Sequence, residues 1–193
     1  MKKESIREKI ISSAFELFAV EGYSVGIQSI ITKAGISRGA LYYYFKSKEE
    51  LFEVVIRQYL FDHFDGFSQI VSSDEDFKIK IEKIIEMSLH PFHAMEKYTS
   101  HTKKSGYLSI LTSIRQNKRL AQLQDKYEDA WNKSVRKIAK QGIDEGRLHA
   151  DTDVYELVNL FRLMIDGTLA TAYNTSLEEA RFKLKRSVAY ILT

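Results

Sequence analysis

The sequence predicts an all-α chain in two helical modules, and three observations carry that expectation. Apolar residues recur at spacings of three and four along almost the whole length, with no run that alternates in the manner of a strand. Nine glycines and a single proline among 193 residues leave few points where a helix must stop. Three Ser-x-x-Glu signatures, Ser5 with Glu8, Ser47 with Glu50 and Ser176 with Glu179, each stand just ahead of an amphipathic stretch, where a capping box starts a helix.

Along the chain, the first helix opens at Ser5, carries Ile6, Ile10, Ala14, Leu17 and Phe18 on one face and ends at Gly22. A short second helix spans Ile27 to Ala34, turning Ile27, Ile30 and Ile31 inward, and Gly35 supplies the turn. Ser37 is a natural N-cap for a very short third helix. The fourth helix starts at Ser47 and carries Leu51, Val54, Val55 and Tyr59 onward to about Gly66. Polar Ser72 to Asp76 marks a break before a helix in which Phe77, Ile81, Ile84, Ile85 and Ser88 share a face, and Pro91 marks a kink or a stop. Ser100 to Lys104 reads as a loop, after which Tyr107, Leu108, Leu111 and Ile114 restore the helical period. A long charge-laced helix from Lys118 to Glu145 closes at Gly146. Val154 to Tyr173 is apolar on nearly every side, which predicts burial on nearly every side. In the last helix Leu177, Ala180, Leu184, Ser187 and Ile191 form a heptad-like stripe. The modules are expected at residues 1–48 and 49–193, sharing the fourth helix as a strut.

Composition narrows the function classes. The absence of cysteine removes disulfides, thiolate nucleophiles and cysteine zinc sites, and suits a reducing cytoplasm. The amino end runs Met-Lys-Lys-Glu into an amphipathic pattern rather than an apolar signal core, and no apolar run is long enough to cross a membrane. No Gly-rich phosphate loop, paired-carboxylate arrangement or nucleophile motif is present, so neither an enzyme nor a cofactor is expected. His90 and His93, with His101 nearby, are spaced to share a helical face, but Pro91 disturbs that helix and no carboxylate stands at ligand spacing; no metal is expected.

The net charge of +3 is too small to argue for a nucleic-acid partner, but its distribution is not even. From Gly22 to Lys48 there is no Asp or Glu, while Lys33, Arg38, Lys46 and Lys48 are all present. A helix entering the major groove needs slim residues at its closest approach, hydroxyls for phosphate and a forked donor for a base edge. Ser37 offers the hydroxyl, Arg38 the bidentate fork for guanine, and Gly39 with Ala40 the slim side. Tyr42, Tyr43 and Tyr44 add phenols for phosphates and flat faces for thymine methyls, while Leu41 and Phe45 point into the small core. Lys48, at the start of the next helix, is expected on a neighbouring phosphate.

Residues Ile10 to Leu51 resemble the TetR family of bacterial transcriptional regulators. The likeness rests on Ala14 with Phe18, Gly22-Tyr23, Ile30, Ala34-Gly35-Ile36-Ser37, Gly39 with Leu41-Tyr42, Phe45, and Lys48-Glu49-Glu50-Leu51. The chain departs from the family at Gly26, where a capping Thr or Ser is usual, so Gln28 or Ser29 is left to supply the phosphate contact of the second helix. Tyr44 likewise replaces the usual histidine.

The resemblance implies a DNA-binding regulator of double-stranded operators, a C-terminal domain that dimerises through its last two helices, and a small-molecule pocket whose occupancy changes the spacing of the two heads. A homodimeric repressor of palindromic operators is the leading expectation; the competitor is a DNA-binding partner or scaffold protein with no effector. The dimer interface is expected at Val154, Leu157, Phe161, Gly167, Leu177, Ala180, Leu184 and Ile191. Aromatic and methionine residues suited to an apolar cavity are Phe61, Phe64, Met87, Met95, Tyr107, Tyr127, Trp131, Phe161 and Met164, with His90 and Thr168 as polar contacts.

Overall fold

A computed structural model describes residues 5–61, 66–99, 106–171 and 175–192, and among them every regular element is helical. The sequence-predicted caps start the helices. Ser5 Oγ accepts from the Glu8 amide at 3.2 Å and Glu8 Oε2 accepts from the Ser5 amide at 3.0 Å, opening α1 (Ile6–Glu21). A 3-10 turn (Gly22–Ser24) leads to α2 (Ile27–Ala34), and Gly35, left-handed at φ 59°, turns the chain into α3 (Arg38–Tyr44). The box at the start of α4 (Lys48–Ile56) is half of the expected pair. Ser47 Oγ accepts from the Glu50 amide at 3.1 Å, but Glu50 Oε2 accepts from Lys46, one residue upstream of the cap, at 2.7 Å.

α4 does not continue unbroken to Gly66. At Ile56 it passes into a π-helical segment, Arg57–Phe61. A π turn takes in one residue more than an α turn and so re-phases the helix. Within it Leu60 and Phe61 are buried.

The larger part follows with α5 (Gly66–Ser72), α6 (Phe77–Ser88), α7 (His90–Thr99), α8 (Tyr107–Gln116), α9 (Lys118–Asp144), α10 (Val154–Ala170) and α11 (Leu177–Ile191). Pro91 follows the expected stop, since α6 ends at Ser88, and it opens the next helix rather than a loop. It occupies the first turn of α7, where an amide has no intrahelical acceptor to lose. At the far end of α9, Gly146 at φ 65° lets the Arg147 amide reach the Gly142 carbonyl at 2.8 Å, which stops the helix where expected. The loop expected at Ser100 to Lys104, the histidine at 101, Phe64 and the expected helix end at Tyr173 lie outside the described residues.

α1 is the central element. It packs on α2 and α4 through one side and on α7 and α8 through the other, so Ile10, Ile11, Ala14, Phe18 and Ala19 are fully buried. Each such large side chain contributes roughly 1.5–3 kcal/mol relative to exposure. Phe15 stacks on Tyr59 at 3.9 Å and meets Tyr98 edge-on at 5.9 Å, tying α1 to the π segment and to α7. The expected strut is therefore only part of the joint between the modules.

A paired-glycine contact makes a second joint. The Gly106 amide donates to the Ala19 carbonyl at 2.7 Å, and a Cβ on Gly106 would overlap the Phe18 carbonyl and the Gly22 backbone. At Gly22, φ 72° and the close side chain of Ser109 exclude a Cβ as well. The Tyr23 amide then donates to Ser109 Oγ at 3.3 Å, fixing the start of α8 on the end of α1.

α10 differs from the expectation of burial on nearly every side. Leu157, Val158, Phe161, Ile165 and Leu169 are buried, but Tyr155 and Leu163 are each 68% exposed and Leu160 is 41% exposed. The helix has more apolar faces than one chain covers. On α11 the same holds for Phe182 and Tyr190, both largely exposed.

Candidate DNA-binding and effector sites

Ser37 builds the start of α3 by accepting the Ala40 amide at 3.1 Å, and Leu41 and Phe45, almost wholly buried, hold the helix down. The opposite side is left to solvent. Arg38 and Tyr42, one turn apart, are exposed with the guanidinium 5.7 Å from the phenol ring; Gly39 and Tyr43 form the neighbouring row, Tyr43 being 82% exposed. Tyr44 is half-buried and meets Tyr43 edge-on at 5.0 Å, and Ala40 is half-buried too. Gln28 and Ser29 stand exposed in the first turn of α2, whose N-cap Gly26 provides no side-chain acceptor.

Lys48 is placed differently from its expected phosphate position. Its ammonium donates to the Tyr23 carbonyl and sits 4.2 Å from the centre of the Tyr23 ring, and burial lowers its pKa. The cation is committed within the protein, holding the 3-10 turn against α4. Lys33 is likewise paired, with Glu16, whereas Arg38 and Lys46 remain exposed.

A cavity of about 630 Å³ opens in the larger part, between the π segment, α8, α9 and α10. Leu60, Phe61, Tyr127 and Trp131 form an apolar wall in which Phe61 and Tyr127 stack at 4.8 Å and the indole N–H of Trp131 donates to Ser88 Oγ at 3.3 Å. Tyr107, Leu108, Leu111 and Ile114 bring one side of α8 to it. Burial, and secondarily the Asp166 charge, raise the Tyr107 phenol far above its ordinary pKa, so it remains a neutral hydroxyl. Polar groups gather at one pole. Glu128 Oε1 accepts from Arg162 at 2.7 Å, from Arg115 at 2.9 Å and from Gln124 at 3.0 Å.

Residues 10–55 match the family described as bacterial regulatory proteins, tetR family. The chain carries the DNA-binding domain of the TetR family. Its relatives are transcriptional regulators. The repressor KstR2 of Rhodococcus jostii is 27% identical over 156 residues, covering 79% of this chain and 72% of that one. Among solved structures, KstR2 of Mycobacterium tuberculosis aligns with a TM-score of 0.73 at 23% identity over 99% of this chain and 95% of that one. A transcriptional regulator of Saccharomonospora viridis, solved in complex with choline, aligns with the same TM-score at 20% identity over 95% of each. These structures share the fold, an N-terminal helix-turn-helix followed by a helical C-terminal domain.

The residues expected at an effector divide. Phe61, Tyr107, Tyr127 and Trp131 line the cavity. Met87 and His90 instead line a second, more open depression beside α11, together with His93, Glu86 and Arg181. His90 is lowered in pKa by burial and then by His93. Met95 and Phe161 are buried in the core, Phe161 beside Trp131 at 6.3 Å; neither these nor Met164 reaches the cavity wall. Thr168 Oγ1 is spent on the Met164 carbonyl at 2.7 Å. The polar pole was missed because Arg115, Gln124, Glu128 and Arg162 lie on three helices and read, in sequence, as ordinary solvated charge.

The expected dimer residues are corrected in the same way. Leu157, Phe161, Ala180 and Leu184 are spent on the chain's own core, and Val154, Leu177 and Ile191 are half-buried; of the eight only Gly167 is exposed. The heptad-like stripe of α11 faces inward because α6 and α10 cover it. The outward apolar residues of the two helices are Tyr155, Leu160, Leu163, Phe182 and Tyr190.

Proposed function

We propose that this TetR-family protein is a homodimeric cytoplasmic repressor of palindromic operators, released when a small apolar or amphipathic effector enters the cavity. The observation that carries this reading is the double duty of α8. Its Tyr107, Leu111 and Ile114 line the cavity, while Gly106 and Ser109 at its start are bonded to the end of α1 beside the DNA-facing helices. At its other end, Asn117 donates to Glu49 Oε1 at 3.0 Å and Glu53 Oε1 at 2.9 Å on α4. A ligand that displaces α8 therefore bears on both flanks of the head. It must bind the DNA-incompetent arrangement more tightly to shift the population.

In this reading Ser37, Arg38, Gly39, Ala40, Tyr42, Tyr43 and Tyr44 of α3 enter the major groove, and Gln28 and Ser29 meet the backbone. The head is residues 1–48 and the effector and dimerisation domain residues 49–193. The uncovered apolar residues of α10 and α11, two helices packed on one another, support the dimer, since exposed apolar surface of this extent marks an interface. An effector-free scaffold role is disfavoured by the formed cavity with its gathered polar pole. Selection of genomic fragments by the purified protein tests the proposal. Enrichment of inverted repeats bound by two protomers is expected, and fragments recovered without sequence preference would refute it.

A further inference from the structure

We infer that the ligand of the cavity is an organic acid on an apolar body, its carboxylate held by Arg162 and a donor group beside that carboxylate read by Gln124. This rests on the cavity being the effector site, and it assigns the chemistry of the occupant.

The polar pole is unevenly satisfied. Arg115 is held by two carboxylates, Asp125 at 2.6 Å and Glu128 at 2.9 Å. Arg162 has one short ion pair, to Glu128 at 2.7 Å, and a long one from Nε to Asp166 at 3.7 Å, so its fork is incompletely used although it forms part of the cavity wall. Glu128 is already shared by both arginines and by Gln124. The Gln124 side-chain carbonyl oxygen is buried and has no hydrogen-bond partner among the described residues. Gln124 belongs to the cavity lining, and a small turn of its side chain would bring this unsatisfied acceptor to a ligand hydroxyl or N–H, which would recover the loss.

The sign of the ligand charge follows from who faces it. Two guanidinium groups stand in the wall with two carboxylates; Asp125 and Glu128 together occupy Arg115, so Arg162 is the guanidinium with donors left for an anion. Asp166 stands in the same wall with its side chain largely exposed, its carboxyl raised above the ordinary range by partial burial, opposed by Arg162 and reinforced by Glu128. A quaternary ammonium would find aromatic faces in Phe61, Tyr127 and Trp131 but would also meet Arg115 and Arg162. The rest of the lining is leucine, isoleucine and aromatic, which fits an alkyl or ring body.

Trp131 is the sole tryptophan and lines the cavity, so its fluorescence reports occupancy without any DNA present. The experiment titrates the protein with decanoate, 3-hydroxydecanoate, 1-decanol and decyltrimethylammonium. Decanoate is expected to bind about tenfold or more tightly than the alcohol and the ammonium, and 3-hydroxydecanoate more tightly still. Arg162→Gln should erase the preference for acid over alcohol, whereas Arg162→Lys, which keeps the charge and guards against a folding artefact, should keep part of it. Gln124→Leu should remove only the gain from the hydroxyl. Equal binding of all four probes, preference for the ammonium, or no change at Trp131 with any of them would overturn the assignment. Decanoate binding that leaves DNA affinity unchanged would instead overturn effector release and leave the ligand class standing.

Discussion

At the residue scale Arg38 and Lys48, both expected on DNA, stand in different surroundings. Arg38 is exposed with its guanidinium near Tyr42, and in the proposed reading it reaches a base edge. Arg38→Ala is expected to cost about 1–3 kcal/mol of operator affinity and to relax one base position, measured by competition among single-base operator variants. Lys48 behaves as a structural cation because its ammonium binds the Tyr23 carbonyl. Lys48→Ala should therefore lower the stability of the fold by on the order of 1 kcal/mol, in thermal or urea unfolding, while the dependence of DNA binding on salt stays unchanged. A salt slope reduced by about one would return Lys48 to the phosphate backbone. Sequence alone did not separate the two, since a lysine at a helix start looks the same whether it faces water or a carbonyl 25 residues away. Gly26 was legible from sequence as a cap without a side-chain acceptor, and α2 starts there with none.

At the scale of elements, helix starts were readable because caps are local chemistry: Ser5, Ser37, Ser47, Asp76 and Ser176 each accept an amide two or three residues into their helix. The π segment was not readable. The periodicity of α4 runs straight through it, with Leu60 and Phe61 buried as Leu51 with Phe52 and Val55 with Ile56 are in the regular part of the helix. The polar pole of the cavity was hidden because Glu128 meets Arg115 and Arg162 across helices. The α1–α8 joint is equally silent in sequence, two glycines 84 positions apart giving no sign that they touch. Gly106→Ala tests it. The added Cβ meets backbone at Phe18 and Gly22 and cannot be relieved by a rotamer change, so a loss of roughly 1–3 kcal/mol in unfolding free energy is expected. An unfolding curve matching the parent would mean that the joint yields freely.

At the scale of the whole molecule, the uncovered apolar residues of α10 and α11 set the expected assembly. Leu163 and Phe182 are 68% and 64% exposed in the single chain, so changing them spares its core. Leu163→Glu with Phe182→Glu should yield a folded monomer by sedimentation and light scattering, with operator affinity reduced because two half-sites are no longer held together. A double variant that remained dimeric would move the interface elsewhere.

The most direct test of the account joins cavity to head. Operator affinity is measured by fluorescence anisotropy without decanoate and with enough to saturate the Trp131 signal. The account predicts operator binding weakened about fivefold or more, with decanoate affinity reduced by the same factor on operator-bound protein, because coupling is reciprocal. Operator affinity unchanged at full occupancy of the cavity would contradict it.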